Sequence, residues 1–263
     1  MNQYQDIQET IIVATRTRSF PLAVKFMGKD ENFPENVRRP GKALGKSVTI
    51  CQAITMARIY DWSVGLDRSD IICVPAILAW GMSGSQEARN EMISLLVQVG
   101  FAQNEQIARA QVETMILPEE GIISGILISP LAKVTWDPNV VVIYGNPAQV
   151  MRLVQALRFS RLDSITGDFQ GKIACVETLY AAHATQSPRI SIPGMGDRIF
   201  SMTQDDELAL SFPANLLPDL MTGLSEAGKP IGARYPVTFY QNFEPIFPKP
   251  YQDMARKLGL FSS

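Results

Sequence analysis

The sequence predicts an α/β (or α+β) protein in which a mixed sheet is covered by helices, and three observations carry that prediction. β-Branched runs alternate with segments of helical period along most of the chain. One strand–turn–helix unit, over residues 140–158, brings its own capping signals, and a second unit of the same plan follows between 207 and 224. At 263 residues, 46% hydrophobic and 19% charged, the chain can bury one large core or two small ones and is too apolar for a disordered polymer.

In chain order, residues 3–16 form an amphipathic helix and 20–27 (FPLAVKFM) a first strand, with Val24 and Phe26 alternating against Lys25. Residues 28–47, rich in Gly, Pro and charge, make a loop that leads into 48–60, where Ile50, Ile54, Ala57 and Ile59 fall near helical spacing. Residues 70–80 (DIICVPAILAW) are a buried strand or a strand-to-helix turn. Two helices follow over 87–100 and 104–116, the first with Met92, Leu95 and Val99 on one face. Residues 122–128 read as a buried strand, Trp136-Asp-Pro-Asn as a turn and 140–144 (VVVIY) as an uninterrupted β-branched strand. Asn146 is placed to cap the next helix, with Pro147 at its first position and Gln149 at its third, close to a capping box. Residues 207–211 form a later strand, and 216–224 a helix closed by Gly228; VVVIYGNPAQVMRLVQAL and LALSFPANLLPDLMTGL thus suggest a loose internal strand–helix duplication.

These elements make a single domain over 1–236, with two sub-lobes dividing near 120–135 as the alternative organisation. Residues 237–263 form a Pro- and aromatic-rich arm with a short helix at 251–258. An apolar arm of this kind packs on its own surface or a partner's, which allows a homo-oligomer.

Charge and compartment narrow the function. With 24 basic against 26 acidic side chains, a net charge of −2 gives no general attraction to nucleic acid or an anionic membrane. The polar start, MNQYQDIQE, lacks a signal-peptide pattern, and the longest uncharged runs, 71–86 and 138–151, are broken by Pro and Gly and fall short of the roughly 20 residues of a membrane helix. A cytoplasmic protein is expected. In that reducing setting Cys51, Cys73 and Cys175, an odd number with no C-x-x-C pair, are core residues or ligands rather than a disulfide framework.

Several motifs fail on inspection. Residues 40–47 (PGKALGKS) approach a phosphate loop, but Pro40 stands where the first glycine belongs, and no buried strand precedes it. Gly194-Met195-Gly196 has Ile199 in place of the third glycine of a dinucleotide fingerprint. Asp197, Asp205, Asp206 and Glu207 match no calcium-loop spacing and read as turn caps and a strand entrance. What remains is a basic run, Arg38, Arg39, Lys42, Lys46 and Arg58, that encloses Cys51; nearby cations favour a thiolate. His183, the sole histidine, stands eight positions after Cys175 and is the one imidazole available as a ligand or base. Small residues around Cys73 and Cys175 would let a cofactor approach the backbone.

Thr49-Ile-Cys51-Gln52-Ala53, Tyr144-Gly-Asn-Pro147-Ala-Gln149-Val-Met-Arg152, the Cys175 segment, and Gly196-Asp197-Arg198 followed by Asp205-Asp206-Glu207-Leu208 together resemble the bacterial and archaeal family called domain of unknown function 169, over roughly residues 8–236. The resemblance implies that cysteines at the positions of Cys51, Cys73 and Cys175 recur in the family; it brings no reaction. Val74-Pro75-Ala76 departs from the glycine expected just after the second cysteine.

Three functions follow. The first is a cytosolic metal or iron–sulfur protein in which Cys51, Cys73 and Cys175, with His183 or a partner's group as a fourth ligand, hold a [4Fe–4S]-type cluster. It would do redox or Lewis-acid chemistry on an anionic small molecule paired with Arg152 or Arg198, or exchange electrons with a redox partner. The second is a thiol-dependent enzyme using Cys51 as nucleophile. The third is a non-enzymatic binder of a small ligand or cofactor, with a pocket at the Gly145–Asn146 and Gly194–Arg198 turns, where Asn146 and Asp197 lie.

Overall fold

The computed structural model describes residues 3–167, 169–237 and 247–260. Its elements in order are α1 (Gln3–Thr15), β1 (Leu22–Met27), α2 (Pro40–Ala43), α3 (Ile50–Arg58), β2 (Val64–Asp67), α4 (Val74–Ala79), α5 (Ala88–Gln98), α6 (Glu105–Glu113), β3 (Gly125–Pro130), β4 (Val140–Gly145), α7 (Pro147–Arg158), α8 (Ala174–Thr185), β5 (Arg189–Ser191), α9 (Met195–Phe200), β6 (Leu208–Pro213), α10 (Leu217–Glu226) and α11 (Lys249–Lys257). The strands form one six-stranded sheet in the order β2-β3-β1-β4-β6-β5, with antiparallel ladders throughout. Parallel pairing is confined to isolated bridges such as Val48–Ile71. Because β1 lies between β3 and β4, strands from both sides of residues 120–135 interleave in this sheet.

The α/β class is what the structure has, and the two-residue period of the strands explains how it is built. Val140, Val142 and Tyr144 of β4 join Leu22, Val24, Ile126 and Ile128 on one face, packed against α3, α4, α5, α6 and α8. Val141 and Ile143, with Ala23, Leu210 and Phe212, face the other way onto α1, α7 and α10. A strand that is buried on both faces must be apolar at every position, which is why VVVIY shows no alternation.

The capping signals place α7 where expected: Asn146 Oδ1 accepts from Gln149 N, and Gln149 Oε1 accepts from Asn146 N. The two units of similar plan, β4–α7 and β6–α10, lie side by side, their strands paired and their helices in contact. At that helix crossing, a Cβ on Gly223 would stand 1.9 Å from the Ala156 carbonyl oxygen, a clash with backbone that only glycine avoids. Gly223→Ala is therefore expected to cost at least about 1–3 kcal/mol by overpacking, read as a lower midpoint of chemical denaturation.

Some elements escaped the sequence pattern. β2 has only four residues and includes Gly65, so no alternation develops. The 70–80 segment resolves into a 3-10 turn at Arg68–Asp70 followed by α4. The loop expected over 28–47 contains α2, where Asp70 accepts from Gly41 N and pairs with Arg39. A buried carboxylate thus takes the backbone donor that a phosphate loop would offer an anion. The arm expected over 237–263 falls partly outside the described residues, but its short helix is α11. No helix among the described residues is long and apolar enough to cross a membrane.

Candidate functional site

The three cysteines, 22 and 102 positions apart in sequence, line one cavity of about 340 Å³. Each sits at a helix start. Cys51 is the second residue of α3, whose first turn is fixed by a capping box between Thr49 and Gln52. Cys73 is the N-cap of α4, with Pro75 just inside that helix. Cys175 is the second residue of α8, entered through Ile173 at φ +54°. A left-handed β-branched residue is strained by roughly 1–3 kcal/mol and persists only where its surroundings impose it; such positions cluster at functional sites. For α3 and α8, the partial positive charge of the helix start favours negative charge on the sulfur.

The rest of the wall is largely apolar. Leu95, Leu96, Val99 and Phe101 from the end of α5 and beyond it face the cysteines, together with Ile173 and Met195. Val99, Phe101 and Met195 are also exposed, so the mouth of the cavity is apolar too. Two lining residues carry charge, Lys172 and Asp197. At Gly196, an added Cβ would lie 3.6 Å from Cys51 Sγ, so the glycine leaves room over that sulfur.

The electrostatics around Cys51 differ from those the basic run implies. Arg39 pairs with Asp67 and Asp70, Arg38 stacks on Trp62, and Arg58 binds Glu207. The thiol of Cys51 instead hydrogen-bonds Cys175 and lies buried beside Asp197, and all three influences push its pKa up. Burial raises Cys73 in the same direction. Burial also raises Asp197, and it lowers Lys172. Among the described residues, no three His, Cys, Asp or Glu side chains are arranged to hold a single metal ion.

Behind Cys51 lies a buried polar cluster. The Arg58 guanidinium, at the far end of α3, donates to both oxygens of Glu207 at 2.7 and 2.8 Å and sits 4.1 Å over the Tyr144 ring. Burial raises the Tyr144 hydroxyl strongly, with Asp197 adding to the effect. Arg58 belongs to the basic run of the sequence, but its acidic partner lies 149 positions away, beyond any local pattern.

Other candidate residues are placed elsewhere. His183 is two turns along α8 from Cys175 and packs against Phe26 and Tyr180, with ring centroids 5.1 and 5.8 Å away; burial lowers its pKa. It does not line the cavity. Arg152 donates to the carbonyls of Leu224 and Ala227 at the end of α10. Arg198 donates to the Gln204 carbonyl and pairs with Asp205, and Asn146 caps α7 and donates to the Tyr235 hydroxyl. Of the residues suggested as ligand-binding, only Asp197 reaches the cavity, while Lys172 is the lining cation that sequence reasoning missed.

A helix-covered antiparallel sheet with three cysteines gathered at one cavity belongs to a known family: the profile of domain of unknown function 169, described as "Uncharacterised ArCR", matches residues 10–223, and the chain is a member of it. It is 24% identical over 204 residues to the "Uncharacterized protein MJ0308" of Methanocaldococcus jannaschii, covering 77% of this chain and 85% of that protein. No solved structure matches.

Proposed function

We propose that Cys51, Cys73 and Cys175 bind a metal centre of the iron–sulfur type, and that the protein acts through it on a small molecule admitted to the cavity. The observation that carries this reading is the convergence of three thiols from distant segments, each at a helix start, on one cavity of about 340 Å³. That volume lies within the roughly 300–1,000 Å³ of cofactor and ligand sites. Thiolates are the ligands that iron–sulfur centres take, which is why three of them at one cavity favour such a centre. Such a centre held by three thiolates supplies an electron conduit and an iron with an open position. The chain adds the apolar wall of Leu95, Leu96, Val99 and Phe101, which excludes water, and Lys172, which offers a positive charge to an anionic group.

Anaerobic isolation followed by a visible spectrum and iron and sulfide analysis tests the reading. About four irons and four sulfides per chain are expected for a cubane, with loss of colour and iron in Cys51→Ser, Cys73→Ser and Cys175→Ser. A colourless, iron-free protein with three titratable thiols overturns it.

A further inference from the structure

We infer that the cavity takes an amphiphilic anion, a carboxylate on a short apolar body, with its charged end held by Lys172 and the start of α8 and its apolar end laid on Leu95, Leu96, Val99 and Phe101. This rests on the part of the reading above that admits a small molecule to the cavity, and it is independent of any metal centre.

Lysine is rarely buried without a partner, yet Lys172 is only 8% exposed in a wall that is otherwise largely apolar. Among the described residues no carboxylate forms an ion pair with it and it donates no hydrogen bond; Glu177, in the first turn of α8, attracts it from beyond ion-pair contact. Asp197, the other charged residue of the wall, offers no compensation, because it is 1% exposed, its Oδ2 accepts the Gly194 N–H at 3.0 Å, and the Cys51 thiol hydrogen-bonds the carboxylate. Burial therefore weighs against the ammonium form of Lys172, and an anion in the cavity supplies the partner that favours it. The backbone fixes where this charge stands. Gly171 at φ +69° and Ile173 at φ +54° flank Lys172 in the left-handed region. A Cβ on Gly194 would come within 3.3 Å of the Gly171 carbonyl oxygen and 3.4 Å of Ala174 Cβ, so the segment packs closely on the start of α9. Beyond Ile173, α8 begins without a capping side chain, and Ala174 and Cys175 at its first two positions line the same cavity. The positive end of this 12-residue helix thus acts together with Lys172 on one anion. The other half of the lining dictates the rest of the ligand. Leu95, Leu96, Val99 and Phe101 offer only hydrocarbon, and Val99 and Phe101 carry that surface out to the mouth. A small hydrated anion leaves this surface uncovered, whereas a carboxylate on an apolar chain uses both halves.

The test titrates the metal-free full chain calorimetrically with hexanoate, with hexanamide as its uncharged counterpart and with acetate as the same charge without the chain. Wild type is expected to bind hexanoate at least about tenfold tighter than either, the worth of a charge-assisted hydrogen bond or of a buried chain. Lys172→Met keeps the length and removes the charge; it is expected to weaken hexanoate at least about tenfold without lowering the thermal midpoint, while Lys172→Arg retains binding. Val99→Asp, which sets a like charge at the exposed mouth, is expected to weaken hexanoate as well. Circular dichroism verifies the fold of each variant. Failure of hexanoate to bind wild type, equal binding of hexanamide or acetate, or an unchanged affinity in Lys172→Met overturns the inference and leaves the metal reading standing. A wild type that takes up no iron and sulfide removes the metal reading alone, because the hexanoate titration is carried out without metal.

Discussion

Replacing Glu207 with alanine is expected to destabilise the protein by about 3–5 kcal/mol, because it leaves Arg58 as an unpaired charge in the interior. Both side chains of the pair are almost fully buried, 2% and 4% exposed, so water cannot take over the lost contact. The guanidinium has no reserve partners: its Nη2 holds both Glu207 oxygens, while Nε and Nη1 are buried without any. Contact with the Tyr144 ring, worth about 2 kcal/mol when desolvated, and the attraction of the Asp197 carboxylate remain, but neither replaces the two-oxygen hydrogen bonding of Glu207. The paired replacement Arg58→Met with Glu207→Leu is expected to recover most of the loss, since removing both charges also removes the desolvation penalty. Urea denaturation of the two single variants and the double checks this. A single-variant cost below about 1 kcal/mol, the level of an exposed ion pair, shows that the pair is not sequestered.

The pair also shows how far the sequence could be read. Where the pattern is local, it was legible: Asn146, Pro147 and Gln149 define the start of α7 within four residues, and VVVIY needs no long-range partner to read as a buried strand. Where the determinant is a contact between distant segments, it was not. α8 is apolar on nearly every face, and its N-cap, Ile173, has no capping side chain, so neither periodicity nor a cap marks its start. β5 has three residues, too few for an alternation to appear. The identities of the three cysteines suggested a shared site, but only the strand order that brings α3, α4 and α8 to one face of the sheet unites them. The basic run misled in the opposite sense. Charges adjacent to Cys51 in sequence are engaged by Asp67, Asp70 and Glu207 in space, and the groups that set its proton affinity are Cys175 and Asp197.

That reversal makes the pH behaviour of Cys51 the sharpest discriminator between a ligand thiol and a nucleophile. A nucleophile needs its thiolate near neutrality, whereas Cys51 in the metal-free protein is held protonated by the Cys175 thiol, by burial and by the neighbouring Asp197. Alkylation of metal-free protein is therefore expected to be slow at Cys51 at pH 7. Its rate should still be climbing above the ordinary thiol value of about 8.5, each unit of upward shift lowering the thiolate fraction about tenfold. Cys73, half-buried where the other two are buried, should react first. Stability must follow the same proton. Between the unfolded and folded pKa values the unfolded chain has lost a proton that the native state retains, so the native state binds more protons and stability falls as pH rises. The contribution is complete below about pH 8.5 and is lost progressively above it. Denaturation midpoints at pH 7 and 9.5 should separate in wild type and draw closer in Cys51→Ser, which lacks the Cys51 thiol and keeps only the contribution of the remaining cysteines. Rapid alkylation of Cys51 at neutral pH, with a midpoint that does not fall toward alkaline pH, would transfer the weight from the ligand reading to the nucleophile. A deprotonated Cys51 without metal is the state a thiol enzyme requires, while the proposed ligand role asks the thiols, two buried and one half-buried, to give up their protons only when a cation binds.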